Sequence, residues 1–105
     1  MNKVPVKQHQ KMKARHPQLM DAVDALGVAV AKAGPLGEKE KHLVQLAAAA
    51  AIRSEGAVHS HARRAVEAGA SAEEVRHAIL LLTSTIGFPT VMAATSWADD
   101  VLEGS

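Results

Sequence analysis

The sequence predicts an all-α protein, folded as a compact bundle of several helices. Apolar residues recur at intervals of three and four along most of the 105 residues, which is the period of a helix that buries one face. Glycine and proline separate these runs, and no run alternates apolar with polar residues as a half-buried strand does. We expect a basic N-terminal arm over residues 1–15, with room for a short helix, and a helical domain over residues 16–105.

The first two helices of the domain differ in how their apolar residues are distributed. Pro17 suits the first position of a helix, and the helix that follows carries one apolar stripe before Gly34-Pro35 ends it. The stripe consists of Leu19, Val23, Leu26, Val30 and Ala33. The next helix, from about residue 38 to 53, is apolar on nearly all sides, which is typical of a helix central to its domain or buried between subunits.

Three further helices are predicted after a break near Gly56. The first covers residues 57–68 and ends at Gly69, and the second carries an apolar stripe that reaches residue 86. Ser71 and Glu74 have the spacing of a capping box, which marks the start of that second helix. Residues 90–103 are predicted as the last helix, after punctuation by Gly87 and Pro89.

Composition excludes several classes of function. The chain has no cysteine, so disulfides, thiolate catalysis and cysteine-ligated metal centres are excluded. The longest purely apolar run, residues 46–52, is too short to span a bilayer, and no signal peptide is visible, so we expect a cytoplasmic protein without membrane contact. The net charge is +1, and the basic N-terminal run lacks interleaved aromatic residues. We therefore favour a solvated arm over a tether for RNA, lipid or an acidic partner, and expect no nucleic-acid binding.

Histidines are the main candidates for chemistry. His59 and His61 lie in the densest polar cluster, residues 54–61, but two positions on a helix differ by about 200°, so they cannot bind one ion together. Each is either a half-packed boundary residue or a functional group, and the pattern favours the former. His42 lies within the apolar helix, where a hydrogen-bonded core histidine is the commoner role. His77 follows Glu73 by four residues and resembles a surface pair.

Three segments resemble the carboxymuconolactone decarboxylase-like domain, which also includes the alkylhydroperoxidase-D-like proteins. They are LGEKEKHL at residues 36–43, HARRAVEAGASAEEV at residues 61–75, and GFP at residues 87–89. The resemblance covers roughly residues 34–95, and its most specific part is the G-A-S-x-E-E-V block that follows H-x-x-x-A. It implies an all-α fold and assembly as a trimer or hexamer.

The resemblance also indicates which activities this chain retains. Alkylhydroperoxidase-D-like proteins reduce peroxides with a C-x-x-C-x-x-x-H motif and a glutamate one helix earlier. With His61 as the motif histidine, the two cysteines fall on Ser54 and Ala57, and the glutamate falls on His42. Thiol peroxidase activity is therefore not expected. The cysteine-independent decarboxylases usually have a carboxylate one turn before the histidine, where this chain has Ala57, with Glu55 nearby.

From the resemblance we expect His61 and His42 to face each other in one small pocket. We predict that His61 acts as the acid or base on a small organic acid and that His42 assists it, with Glu55 and His59 as candidate accessory groups. No cofactor is predicted, although two facing imidazoles are also able to hold a metal ion. The alternatives are a member that binds a small molecule or metal without turnover, and a purely structural homo-oligomer.

Overall fold

The computed structural model describes residues 4–103, and these residues form only helices joined by short turns. The prediction of an all-α fold is confirmed. None of the helices in this range combines the length and the apolar character that a membrane-spanning segment needs. In chain order, the helices are α1 (Val4–Arg15), α2 (Pro17–Ala31), α3 (Glu38–Ala51), α4 (Glu55–Glu67), α5 (Ala72–Leu80), α6 (Thr83–Ile86) and α7 (Phe88–Leu102).

The N-terminal segment is a helix over most of its length. Of the residues expected to form an arm, those at positions 4–15 build α1, and positions 1–3 lie outside the described residues. Pro5 falls in the first turn of α1, where its missing N–H costs no hydrogen bond. Helix α1 packs against α2 and also touches α4, so this segment is part of the folded structure.

The remaining helices begin and end close to the predicted positions. Helix α4 begins at Glu55, two residues earlier than expected, and α7 begins at Phe88 with Pro89 in its first turn. The predicted helix that reached residue 86 is divided into α5 and the short α6. Gly87 separates α6 from α7 with φ of +94°, a conformation that residues with a side chain rarely adopt.

The core is built mainly from small side chains where α3, α4 and α7 meet. Helix α3 is central, as predicted: its Leu46 and Ala50 are fully buried, although Val44 and Ile52 on its far side are exposed. Alanines allow helix axes to approach closely, which suits a chain with few large apolar side chains. The buried core residues are Leu46, Ala49, Ala50, Val58, Ala62, Ala65, Ala70, Val75, Ile79, Val91, Ala94 and Ala98.

Helix α2 does not bury its apolar stripe within the chain. Leu26 is 64% exposed and Val30 is 55% exposed, and Met20 is the one buried residue of this helix. Helix α2 packs chiefly on α1 and has little contact with the α3–α7 bundle. The periodicity of this segment therefore predicts the helix correctly, but no described residue of this chain covers its stripe.

The capping box at the start of α5 provides a test of local stability. The Ser71 hydroxyl accepts a hydrogen bond from the Glu74 backbone N–H at 3.0 Å, and the Glu74 carboxylate accepts one from the Ser71 N–H at 2.9 Å. Ser71→Ala should lower the free energy of unfolding by about 1 kcal/mol in urea denaturation, because it leaves a helix N–H without its partner. Ser96→Ala, an exposed change in the middle of α7, is the control and should have little effect. Equal stability of both variants would contradict the capping role.

Candidate functional site

His42 of α3 and His61 of α4 face each other where the two helices pack together. Their Nδ1 atoms lie 3.3 Å apart, and the ring centroids are separated by 5.5 Å with the planes tilted by 34°. His42 is 6% exposed and His61 is half-buried. The structure thus brings together the two residues that the sequence singled out, and their nitrogens are within reach of a shared proton.

The neighbouring carboxylate favours one arrangement of protons in this pair. Glu38, one turn before His42 on α3, places a carboxylate oxygen 3.5 Å from His42 Nε2. A proton on His42 Nε2 that points to Glu38 leaves His42 Nδ1 as an acceptor. His61 Nδ1 then donates, and His61 Nε2 carries a free lone pair. No described residue makes a hydrogen bond to His61 Nε2, so this nitrogen is the one available to a ligand.

Both imidazoles are held in the neutral form at pH 7. Burial is the main cause that lowers the pKa of His61 to about 4, and His42, Arg64 and Lys41 add repulsion. The pKa of His42 is lowered as well, chiefly by burial and then by Lys41, against the opposing attraction of Glu38. The hydrogen bond between His42 and His61 therefore forms between two uncharged rings, and no charge is buried at this contact.

The histidine pair lies on the wall of a cleft of about 680 Å³ between α2 and the α3–α4 pair. This volume is in the range of small-molecule sites. One side of the cleft is apolar, formed largely by α2, and the other carries charged groups from α3 and α4. The lining of the cleft includes Met20, Val23, Val28, Lys41, His42, His61 and Arg64.

Cationic groups flank the pair on both helices. Lys41 Nζ lies 3.0 Å from a Glu38 carboxylate oxygen, and this hydrogen bond is the main cause that lowers the pKa of Glu38. Arg64 is exposed at the cleft, three residues after His61. Two cations beside neutral imidazoles suit an anionic ligand whose reacting atom approaches His61.

A metal ion between His42 and His61 fits this surrounding less well. The 3.3 Å separation of the nitrogens suits two ligands of one Zn²⁺ ion, which lie about 3.3 Å apart in tetrahedral geometry. However, among residues 7–103 no third histidine or carboxylate joins them in a metal-binding group. Lys41 and Arg64 would also repel a cation.

Glu55 and His59, the candidate accessory groups, lie elsewhere. Neither residue lines the cleft. His59 is 1% exposed, not half-exposed as a boundary residue would be, and its Nε2 lies 2.9 Å from a carboxylate oxygen of Asp100 on α7. Glu55 lies 4.0 Å from the same nitrogen. His59 and His61 are two positions apart, which places their side chains on different sides of α4, as helical geometry requires.

Sequence reasoning missed several groups around both histidines. Glu38 and Arg64 could have been predicted from their spacing. Glu38 lies four residues before His42, and Arg64 lies three residues after His61, and side chains at these spacings meet on one face of a helix. His9, which carried no signal, reaches the edge of the cleft through the packing of α1. Asp100 also had none, since its contact with His59 spans 41 residues.

The positions that correspond to cysteines in the peroxidases have no redox role here. Ser54 is the residue before the first turn of α4, and Ala57 packs against the core. Neither side chain carries sulfur, so neither forms the thiolate or disulfide of that reaction. The predicted surface pair of Glu73 and His77 forms no ion pair within the described part of the chain, where both residues are exposed.

Comparisons with known proteins agree with this fold. Residues 17–100 match the model of the carboxymuconolactone decarboxylase family. The structure is similar to the apo form of a carboxymuconolactone decarboxylase family protein from Legionella pneumophila, with a TM-score of 0.80 and 28% sequence identity over 93% of this chain and 88% of that one. No curated protein matches the sequence. Because the family model spans most of the chain, from α2 into α7, this protein belongs to the carboxymuconolactone decarboxylase family.

Proposed function

We propose that this protein catalyses cofactor-independent acid–base chemistry on a small organic acid, of the lyase or isomerase type, with His61 as the acid–base group. The observation that carries the proposal is the 3.3 Å contact between the Nδ1 atoms of His42 and His61 in a cleft with two cations. His42 is a positioning residue: it accepts the His61 Nδ1 proton and so leaves Nε2 of His61 unprotonated. Glu38 in turn orients His42.

The proposed step is proton transfer at carbon. His61 Nε2 takes a proton from a carbon next to a carbonyl or carboxylate, and the electron pair of that C–H bond moves onto the carbonyl oxygen. The resulting enolate is stabilised by the positive charge of Lys41 and Arg64. Return of the proton to a different carbon completes an isomerisation, whereas loss of a leaving group completes a lyase reaction.

An anionic substrate would also make His61 a better base. Arg64 and Lys41 both contribute to the low pKa of His61 by charge repulsion. A bound carboxylate between these cations neutralises them and adds its own attraction, which raises the pKa of His61 towards neutrality. A general base is most effective with a pKa near the working pH, so substrate binding and activation of the base are coupled.

The family's name denotes decarboxylation of carboxymuconolactone, and this reaction is one member of the proposed class. There the C–C bond to the carboxylate breaks, CO₂ leaves, and the electron pair stays on the carbon. His61 takes a proton from water at Nε2 and delivers it to that carbon. The position one turn before His61 is Ala57, which has no carboxylate to assist. For this reason we propose the acid–base class and include carboxymuconolactone among the compounds to be tested.

Hydrogen exchange at carbon tests the proposal across several candidate substrates at once. Carboxymuconolactone and a set of small oxo acids and unsaturated lactone acids are incubated with the protein in D₂O, and loss of C–H signals is followed by NMR. We expect wild type to accelerate exchange in at least one compound, and His61→Asn to reduce that rate about 100-fold or more. Asparagine preserves a donor near the Nδ1 position and lacks the Nε2 base.

The control is His16→Gln, which removes an exposed histidine just before α2 and should leave exchange unchanged. Equal exchange rates in wild type and His61→Asn would contradict the role of His61. Thermal stabilisation of wild type by one of these acids, with no exchange or turnover, would instead support the non-catalytic binding alternative.

Stability against pH tests the neutral state of His61. The pKa of about 4 lies below the ordinary 6.5, so the unfolded chain binds the proton more readily than the folded one. The free energy of unfolding should therefore fall as the pH drops from about 6.5 to 4, by as much as about 3 kcal/mol. In urea titrations His61→Asn should lose most of this dependence and His16→Gln should keep it. The same slope in all three proteins would contradict a neutral, half-buried His61.

We further infer that copies of this chain associate through α2. Its stripe of Leu19, Val23, Leu26 and Val30 is about half exposed or more, and Leu36 and Val44 extend the apolar surface towards α3. A shallow apolar pocket of about 260 Å³ lies along this surface. Monomeric proteins rarely expose so continuous an apolar face, and a second copy presents a matching one.

Light scattering after gel filtration tests this association. Wild type should elute as a homo-oligomer, and Leu26→Glu should shift it to smaller species because the change buries a charge at the contact. Gln18→Glu adds the same charge at an exposed polar position on another side of α2 and should leave the oligomer intact. A monomeric wild type, or dissociation by both variants alike, would contradict an interface on the stripe.

A further inference from the structure

A second group of ionisable side chains lies outside the cleft, where α4 meets α7. His59 is buried, with 1% of its surface exposed. Its Nε2 lies 2.9 Å from a carboxylate oxygen of Asp100 and 4.0 Å from a carboxylate oxygen of Glu55. The three atoms lie within 4.8 Å of one another. None of these residues takes part in the function proposed for His61.

We propose that Glu55, His59 and Asp100 bind a divalent transition-metal ion, with Zn²⁺ as the best match. One imidazole nitrogen and two carboxylate oxygens are ligands that Zn²⁺ accepts, and three protein ligands leave a fourth position for water. Ligands of Zn²⁺ at about 2.0–2.2 Å lie about 3.3–3.6 Å apart. The present separations bracket this value, and rotation of the two exposed carboxylates is enough to reach it.

The pattern of ion pairs around Glu55, His59 and Asp100 favours a bound cation over a simple hydrogen bond between His59 and Asp100. Among the described residues, Glu55 and Asp100 form ion pairs with His59 alone, whereas Asp99 and Glu103 on the same helix end share Arg76. The two carboxylates together carry a charge of −2, which a divalent ion balances. A hydrogen bond between His59 and Asp100 leaves Glu55 at 4.0 Å, beyond hydrogen-bond distance.

The scaffold holds the three ligands on rigid elements. Glu55 and His59 lie four residues apart on α4, so both side chains emerge on one face, and Asp100 comes from the last turns of α7. Burial fixes the imidazole, while the exposed carboxylates open the group to solvent and give an ion a path of entry. Such an ion would join two helices that both contribute apolar residues to the core, among them Ala62 of α4 and Ala94 of α7.

Titration of tag-free, chelator-treated protein with ZnCl₂ tests the site by calorimetry and thermal unfolding. We expect wild type to bind one Zn²⁺ per chain and to unfold at a higher temperature when loaded. Asp100→Asn should abolish this binding, and Glu55→Gln should weaken it at least ten-fold. Both residues are exposed, so these variants are expected to fold, which circular dichroism checks.

Two controls locate the ion. Asp99→Asn removes the neighbouring carboxylate that pairs with Arg76, and His61→Asn removes the cleft histidine; both should bind Zn²⁺ as wild type does. Lack of one-to-one binding by wild type, or binding that survives Asp100→Asn, would overturn the proposal. Loss of binding in His61→Asn would overturn it too, by assigning the ion to the cleft. Since the acid–base function does not require this ion, either proposal can fail alone.

Discussion

The close packing of α3 against α4 is the constraint on which the rest of the structure depends. Fully buried alanines on both helices, such as Ala50 of α3 and Ala62 of α4, allow the two helices to approach closely, and His42 and His61 lie 3.3 Å apart. A bulkier residue at the contact would separate the helices and the imidazoles with them. The same approach desolvates His61, so the packing that supplies most of the core also sets the protonation state of the site.

The two histidines of α4 show how one helix can serve two different environments. His61 turns towards α3 and meets another imidazole and two cations, whereas His59 turns towards α7 and meets two carboxylates. The first environment suits an anion and a mobile proton; the second suits a cation. Helical geometry separates the two side chains by about 200°. The contrast in charge comes from α4 itself and from its neighbours: Arg64 of α4 and Lys41 of α3 lie near His61, whereas Glu55 of α4 and Asp100 of α7 lie near His59.

The sequence was sufficient to predict the helices, but not all of the contacts that their side chains make with other helices. Capping by Ser71 and punctuation by Gly87 act locally, so they can be read from a few neighbouring residues, and the structure has both. The pairing of His42 with His61 could be expected only from the family resemblance, because its 19-residue separation crosses a turn. Asp100 was not predicted at all, since no periodicity links it to His59 across 41 residues.

The stripe on α2 illustrates the limit of amphipathicity as a predictor. A period of three and four residues indicates that a face is to be buried, but it carries no information on whether the cover comes from the same chain. In this chain α2 rests on α1 and stands away from the bundle, which leaves the stripe exposed and opens the cleft beside His61. A copy that covered the stripe would also fix α2 against its own bundle. Association would then define the apolar wall of the cleft, which links assembly to the shape of the proposed binding site.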